Sequence, residues 1–266
     1  MRRPEPIASL HNPRVKLWAQ LLDKKGRDKH GTYLVEGIHL VQEALIWKAG
    51  VETLLYSEQR GIPSEIETLV SSEAELECVP VSEQVLAKCS DAQTPQPVIA
   101  IVRKTAHSAE RLLDISDSLV VVTDGVQDPG NLGTIIRSAD AVGASGVVLG
   151  KGTVDLYNPK TVRSTMGSLF HMTVVEAELL PLFAEARSRG VRLVNTSLQA
   201  QQTCYDADFT GPTWFVLGNE GKGVSPEVAA QIDEHVIIPM KGQAESLNVA
   251  MAATVLLFEA MRQRGV

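Results

Sequence analysis

No stretch of this 266-residue chain approaches the roughly 18 uninterrupted apolar residues of a membrane helix. The longest, LNVAMAATVLLF (247–258), is broken by Asn248 and followed at once by Glu259 and Arg262. Cysteine is scarce: Cys78, Cys89 and Cys204 are odd in number, far apart and without a CxxC. Neither a disulfide framework nor a zinc site is expected, and a reducing, cytoplasmic setting follows. HExxH, GxSxG and any Cys/His constellation are missing, and His11, His30, His39, His107, His171 and His235 are isolated. The N-terminal MRRPEPIASL carries basic residues but no apolar core, which argues against a secretory signal. No internal repeat or low-complexity tract is evident. What is present is an ordinary globular composition, 44% apolar and 21% charged, so disorder is not the default.

Charge is uneven. The net value is −7, yet residues 1–30 hold eight Lys/Arg against three Asp/Glu, a local +5 that leaves −12 on the rest. A basic block on an acidic body suggests local contact with a polyanion; a solvated terminal helix is the plainer reading. Arg14, Lys16, Lys24, Lys25, Arg27 and Lys29 are the candidates for phosphate contacts, which confer affinity more than sequence readout.

Two α/β segments are expected, joined by the polar stretch KTAHSAERLLDISD (104–117). In the first, NPRVKLWAQLLDKKGR (12–27) reads as one helix, TYLVEG as a strand and IHLVQEALIWKAG as a helix ended by Gly50. VETLLYSE reads as a strand, IPSEIETLVSS as a helix, SEQVLAKCS as a helix capped by Ser82, and PQPVIAIVR as a buried strand. The second segment holds six apolar strands: SLVVVTDGV, SGVVLG, MTVVEA, VRLVNTS, TWFVLG and HVIIPM. Helices fall at 130–142, about 159–169, 178–189, a short piece from Pro226 and a long one from Ser246. Apolar strands separated by helices indicate a parallel sheet covered on both faces.

Ligands of such sheets bind beyond the carboxyl ends of the strands. Three strand ends run into glycine-rich polar loops: VVVTDGVQDPGNLG, WFVLGNEGKGVS and VIIPMKGQAESLN. None satisfies GxGxxG or GxxxxGK[ST], so a dinucleotide or nucleoside-triphosphate site is weak by motif. The loops offer Asn131, Arg137, Glu220, Ser246 and Asn248, with no covalent nucleophile. Leu217, Ile238, Met240 and Leu247 could wall a flat heterocycle. Residue chemistry alone stops at a nucleoside-like ligand in a parallel α/β domain. A nucleotide-dependent oxidoreductase with an atypical Rossmann loop stays open at this point.

The runs NLGTIIRSADA (131–141), LGNEGKGV (217–224) and IPMKGQAESLNVAMAA (238–253) closely resemble the three signature motifs of the SpoU/TrmH-type RNA ribose 2′-O-methyltransferases, in that family's order and spacing. The resemblance spans roughly 117–266. HNPRVK (11–16) and YLVEG (33–37) resemble the RNA-binding extension of a ribosomal-RNA branch. The resemblance implies an α/β fold: a C-terminal parallel-sheet domain with a deep trefoil knot (117–266), preceded by a smaller ribosomal-protein-like α/β domain that binds RNA substrate (1–104). It further implies S-adenosylmethionine as cofactor, held by Gly218, Ile238 and Leu247, with Thr196, Leu217 and Met240 as additions. Ser246 and Asn248 are placed in the site, with helix capping as the plainer reading, and no metal is involved. A homodimer through the knot-side helices is implied, and the Ala/Met-rich helix 247–261 is apolar enough to serve, with a buried intrachain helix as the alternative. Ribosomal RNA is the expected substrate, with transfer RNA, or a non-catalytic RNA-binding role, as alternatives.

Arg137 matches the arginine thought to act on the ribose 2′-hydroxyl. An ordinary guanidinium loses its proton only above about pH 12, so it either serves as a strongly perturbed base or orients the hydroxyl. The plain alternative is a salt bridge to Asp140 or Asp124. Asn131 is read as an orienting residue, against helix capping. Glu220 is expected to pair with Arg137 or to hold substrate. Lys160 and Arg163, in NPKTVRSTMGSLF, are candidate RNA contacts, with an exposed helix face as the alternative.

Overall fold

The computed structural model describes residues 5–265. Arg2 and Arg3 of the basic N-terminal block lie outside them. The described residues form two compact units: those up to 105 together with 155–171, and 106–154 together with those from 172 onward.

The first unit runs α1 (Pro13–Gln20), α2 (Lys24–His30), β1 (Thr32–Glu36), α3 (Ile38–Ile46), β2 (Val51–Ser57), α4 (Ser64–Ser72), β3 (Glu77–Val81), α5 (Glu83–Lys88) and β4 (Val98–Arg103). Its mixed sheet has the order β1-β4-β2-β3, with β2 and β3 parallel and β4 antiparallel to β1 and β2. Period-two alternation sends Leu34, Leu55, Ile99 and Ile101 to a core with Val15, Trp18 and Leu86. Tyr33, Val35, Leu54, Ala100 and Val102 face a second core with Leu40, Val41, Leu45 and Ile66.

The expected single helix over 12–27 is two. Gly26 lies so close to Gln20 that a Cβ there would be 1.9 Å from its carbonyl oxygen, and Asp23 is extended between the helices. Strand β3 went unread, since Pro80 breaks the local strand signal; its place at the sheet edge tolerates that proline. The Ser82 cap forms as expected, its hydroxyl accepting from the Val85 amide.

The second unit runs α6 (Glu110–Leu113), β5 (Leu119–Asp124), α7 (Pro129–Ala141) and β6 (Gly146–Leu149). After α8 (Pro159–Thr165) come β7 (Val174–Glu176), α9 (Leu179–Ser188), β8 (Arg192–Thr196), β9 (Thr213–Gly218), α10 (Pro226–Ala229), β10 (Glu234–Val236) and α11 (Val249–Gln263). All six strands read as apolar pair in one parallel sheet, ordered β10-β8-β9-β5-β6-β7. Val120, Val122, Val148, Trp214 and Val216 pack on Leu182, Phe183 and Ala186 of α9. Helix α7 packs on β5 and β6, and α11 on β9 and α7.

One segment divides differently by packing than by sequence. Residues 155–171, read as part of the C-terminal domain, pack with the first unit. Val162 of α8 is buried in that unit's second core, and Tyr157 packs on Tyr33 at a ring-centroid distance of 4.5 Å. No helix among the described residues is long and apolar enough to cross a membrane.

Candidate active site

Chain direction switches at the middle of the parallel sheet. From β5 it leaves through α7 to β6 on one side, and from neighbouring β9 it leaves through α10 to β10 beyond β8. This is where a crevice opens in such sheets. The loops after β5 and β9 are stitched together there. Asn219 donates through Nδ2 to the Gly125 carbonyl (3.0 Å), and the Asp124 carboxylate accepts from the Ser225 amide (2.6 Å).

Asp128 caps α7, accepting from the Asn131 amide at 2.9 Å. Asn131 is therefore not the cap, and its side chain is spent elsewhere. Its Nδ2 donates to Glu220 Oε1 (2.9 Å), and its Oδ1 accepts from Asn248 Nδ2 (2.9 Å). Glu220 also accepts the amides of Gln127 (3.1 Å) and Asp128 (3.0 Å). Asn248 in turn caps α11, its Oδ1 accepting from Ala250 and Met251. One hydrogen-bonded chain thus joins all three motif loops.

Glu220 does not pair with Arg137; its acceptor positions serve Asn131 and two loop amides. Burial pushes its pKa up, but the bonds from Asn131 and the Asp128, Gln127 and Glu220 amides outweigh it and hold it below the ordinary value. The sign follows: a depressed folded pKa means the stitching is complete above the ordinary carboxylate range and lost as pH falls through the folded value. The protection of the Gln127 and Asp128 amides, taken as the ratio of intrinsic to observed exchange rate at each pH, is expected to fall on acidification in the wild type and to be low already at neutral pH in Glu220→Ala. Equal protection in both would show that the carboxylate does not hold this loop.

Arg137 is exposed on α7. Among the described residues its guanidinium makes no ion pair or hydrogen bond, so neither proposed salt bridge forms; Asp124 is taken by Ser225. Asn131 and Ser138 are two turns apart and share a helix face. That face meets α11, where Ser138 and Thr254 hydroxyls lie 2.7 Å apart. Arg137 is one position round from this seam.

A cleft of about 120 Å³ is lined by Thr196, Ser197, Leu198, Ile237, Ile238, Met240, Ser246, Leu247 and Ala252. Four of the six expected cofactor contacts, Thr196, Ile238, Met240 and Leu247, are among them. Ser246, expected to open α11, lies two residues ahead of its cap and lines this cleft instead. Leu217 is buried in β9 and does not line it. Ser197, Leu198, Ile237 and Ala252 were not read from the sequence, because nothing in their type separates them from core residues.

Gly218 has a structural reason to be glycine. A Cβ there would be 2.0 Å from the Gly223 carbonyl carbon and 2.1 Å from the Val224 nitrogen. The close approach lets Asn219 and Gly223 exchange two amide–carbonyl bonds of 2.9 Å, closing the loop that presents Glu220. Gly218→Ala is expected to cost about 1–3 kcal/mol by overpacking. A thermal-unfolding midpoint equal to wild type would contradict this.

The basic candidates part ways. Lys16, Lys24, Lys25 and Lys160 are exposed. Lys24 lies 3.2 Å from Asp28. Arg14 pairs with Glu77 and lies over the Trp18 ring at 4.9 Å. Arg163 forms a two-point pair with Asp91. Arg27 is a correction. Its side chain is 2% exposed, bonded to Asp155 through Nε (2.9 Å) and Nη2 (2.6 Å), and to the Leu21 and Leu22 carbonyls through Nη1 (2.8 and 2.7 Å). All of this is internal, so Arg27 does not contact RNA.

The SpoU rRNA Methylase family model matches residues 118–258, which contain every loop just described. The chain belongs to that family. A second model, the MRM3-like substrate binding domain, matches residues 12–100. Over 252 residues the chain is 39% identical to 23S rRNA (guanosine(2553)-2′-O)-methyltransferase RlmP of Bacillus subtilis, covering 95% of this chain and 97% of the relative. It is 36% identical to 23S rRNA (uridine(2479)-2′-O)-methyltransferase of Streptomyces viridochromogenes, covering 95% and 91%. Among solved structures, SpoU methyltransferase AviRb from Streptomyces viridochromogenes, in complex with AdoMet, superposes with a TM-score of 0.87. It shares 35% identity, with 96% and 98% of the two chains covered. An AdoMet-bound rRNA methyltransferase from Sinorhizobium meliloti gives 0.86 at 34% identity, with 97% of each chain covered. These likenesses run through both units.

Proposed function

We propose that this chain methylates the 2′-hydroxyl of a ribose in ribosomal RNA, with S-adenosylmethionine as donor. The observation that carries it is the Glu220–Asn131–Asn248 chain of hydrogen bonds, which ties three motif loops together where the parallel sheet switches direction. Support for ribosomal over transfer RNA comes from the relatives, which are named for 23S rRNA.

The cleft suits the cofactor. Ile238, Met240 and Leu247 supply apolar walls for a purine, while Thr196 and Ser246 supply hydroxyls for a ribose or carboxylate. When bound, the donor offers a methyl group on a positively charged sulfur, which an oxygen nucleophile can attack directly. This chain's residues then have three tasks. Glu220 and Asn248 fix the Asn131 amide so that it presents one orientation toward substrate. Arg137, exposed and unencumbered, holds the ribose hydroxyl in line. The stitched loops exclude alternative geometries, so positioning supplies much of the rate. Lys16, Lys24, Lys25 and Lys160 give a basic surface for RNA phosphates. The knotted threading of the family and a cytoplasmic place of work belong to this same reading.

Incubating the protein with labelled cofactor and unmodified total RNA tests it. Label in alkali-resistant dinucleotides of ribosomal RNA is the expected result. Label on protein or on bases, with no ribose modification, would sink the reaction assignment.

A homodimer through α11 is part of the proposal. Met251 and Phe258, two turns apart on one face, are 53% and 44% exposed, an unusual cost for large apolar side chains on a monomer. Phe258→Glu is expected to yield a monomer by sedimentation. An unchanged dimer would place the interface elsewhere.

A further inference from the structure

Two of the three tryptophans, Trp18 and Trp214, are buried; Trp47 is 50% exposed. It closes α3 in the first unit, where its Nε1 donates to Glu43 one turn back at 3.3 Å. Its ring stacks on His171, with centroids 4.3 Å apart and planes at 35°. His171 is also exposed and follows a single 3₁₀ turn, Ser168–Phe170. The arrangement is closely seated: a Cβ on Gly167 would lie 2.8 Å from Glu43 Cγ. The inserted segment therefore rests against the same glutamate that holds the indole.

The backbone around this pair is unusual. Among the described residues, positive φ at non-glycine positions occurs at Lys48 (51°) and Met166 (52°). Lys48 directly follows Trp47, and Met166 directly precedes Gly167. Both occupy the left-handed position that ends a helix, where glycine is favoured. Glycine would make either turn more easily, so the turn does not explain the side chains. What they add is an ammonium and a flexible thioether, both exposed. Lys48 has no ion-pair partner among the described residues.

Unpaired nucleotides are recognised by stacking on aromatic faces, with cations on the adjoining phosphates. Protein interfaces, by contrast, are depleted in lysine. We propose that Trp47 and His171 form a stacking platform for an unpaired RNA base, with Lys48 meeting a neighbouring phosphate. The proposal rests on the reading of RNA as substrate, and it locates base recognition outside the methyl-transfer loops.

Tryptophan fluorescence of the full chain, titrated with a short single-stranded RNA and with its duplex, tests this. The single strand should quench emission more than the duplex. Trp47→Ala should remove the quench and weaken binding about 10- to 100-fold, with Trp47→Phe retaining most of the affinity. Lys48→Gly suits the left-handed backbone and so keeps the fold. It should still weaken binding and lower the slope of log affinity against log salt by about 0.7. Unchanged affinity in both Trp47→Ala and Lys48→Gly overturns the proposal. So does a Trp47→Ala variant that splits a dimer while binding RNA normally, which would make the patch a protein interface. Methyl transfer is measured separately on the wild type: quenching without transfer sinks the reaction reading and leaves the platform, whereas no RNA binding at all sinks both.

Discussion

Replacing Arg137 with alanine is expected to slow methyl transfer by about 100- to 1,000-fold, the range for losing one positioned donor at a reacting oxygen. Three observations make this an effect on chemistry and not on folding. The side chain is exposed, it makes no ion pair or hydrogen bond among the described residues, and the α7 positions that pack on α11 are other ones. Cofactor affinity should stay within about twofold, because a donor used in the transition state contributes little to binding the ground state. The cleft lining also omits α7 altogether. Arg137→Lys separates two roles. Lysine keeps the charge but not the planar fork of donors. If Arg137 orients the hydroxyl through that fork, lysine recovers little; if it only supplies positive potential, lysine recovers most. Single-turnover rates at saturating cofactor decide this, and full activity in Arg137→Ala would make the arginine dispensable.

Arg27→Ala is expected to destabilise the first unit by about 3–5 kcal/mol, the cost of leaving a buried charge without its partner. Asp155 is 8% exposed and would lose both guanidinium bonds, while the Leu21 and Leu22 carbonyls would lose their shared donor. Those carbonyls follow α1, so the same guanidinium that holds the inserted segment also closes a helix end. Denaturant unfolding measures the loss. RNA affinity provides the contrast: the salt slope of binding should be unchanged in whatever fraction stays folded, since Arg27 reaches no phosphate. For Lys16→Ala or Lys25→Ala the expectation is reversed, with stability kept and the slope lowered. A stable Arg27→Ala protein with a reduced slope would restore Arg27 to the RNA surface.

The two arginines illustrate what a sequence conveys. One stands in a basic block among polar residues, the other in a motif helix just after two isoleucines. Local pattern marks both as available for a ligand. Whether a guanidinium meets solvent or a buried carboxylate is decided by a partner 128 residues away, and no periodicity encodes that.

The strands of the parallel sheet were legible because burial on both faces requires near-continuous apolar runs, and the three loops were legible because their glycines and amides interrupt those runs. Four of the six residues expected to hold the cofactor, Thr196, Ile238, Met240 and Leu247, line one cleft. Gly218 marks the limit of motif position: its place suggested a ligand, while the close approach of Gly223 and Val224 within its own loop already requires a residue without a Cβ. Glu220 is marked by its glycine loop, but of its two expected roles the pair with Arg137 does not form; its bond to Asn131 depends on the register of a helix against a loop from another strand, which no local pattern carries.

By itself, then, the sequence determined the six strands of the parallel sheet and most helices, where the glycine-rich loops fall and which polar residues they carry, although it missed β3 and the break between α1 and α2. These depend on neighbours within a few positions, where periodicity and turn chemistry act. Only the tertiary structure decided that Asn131, Glu220 and Asn248 share one chain of hydrogen bonds, that Arg27 is internal, and that residues 155–171 pack with the first unit. Each of these is a contact between residues about 90 to 130 positions apart. Such contacts arise when helices and sheets bury their apolar faces together, and that packing, more than any local preference, selects which polar groups meet.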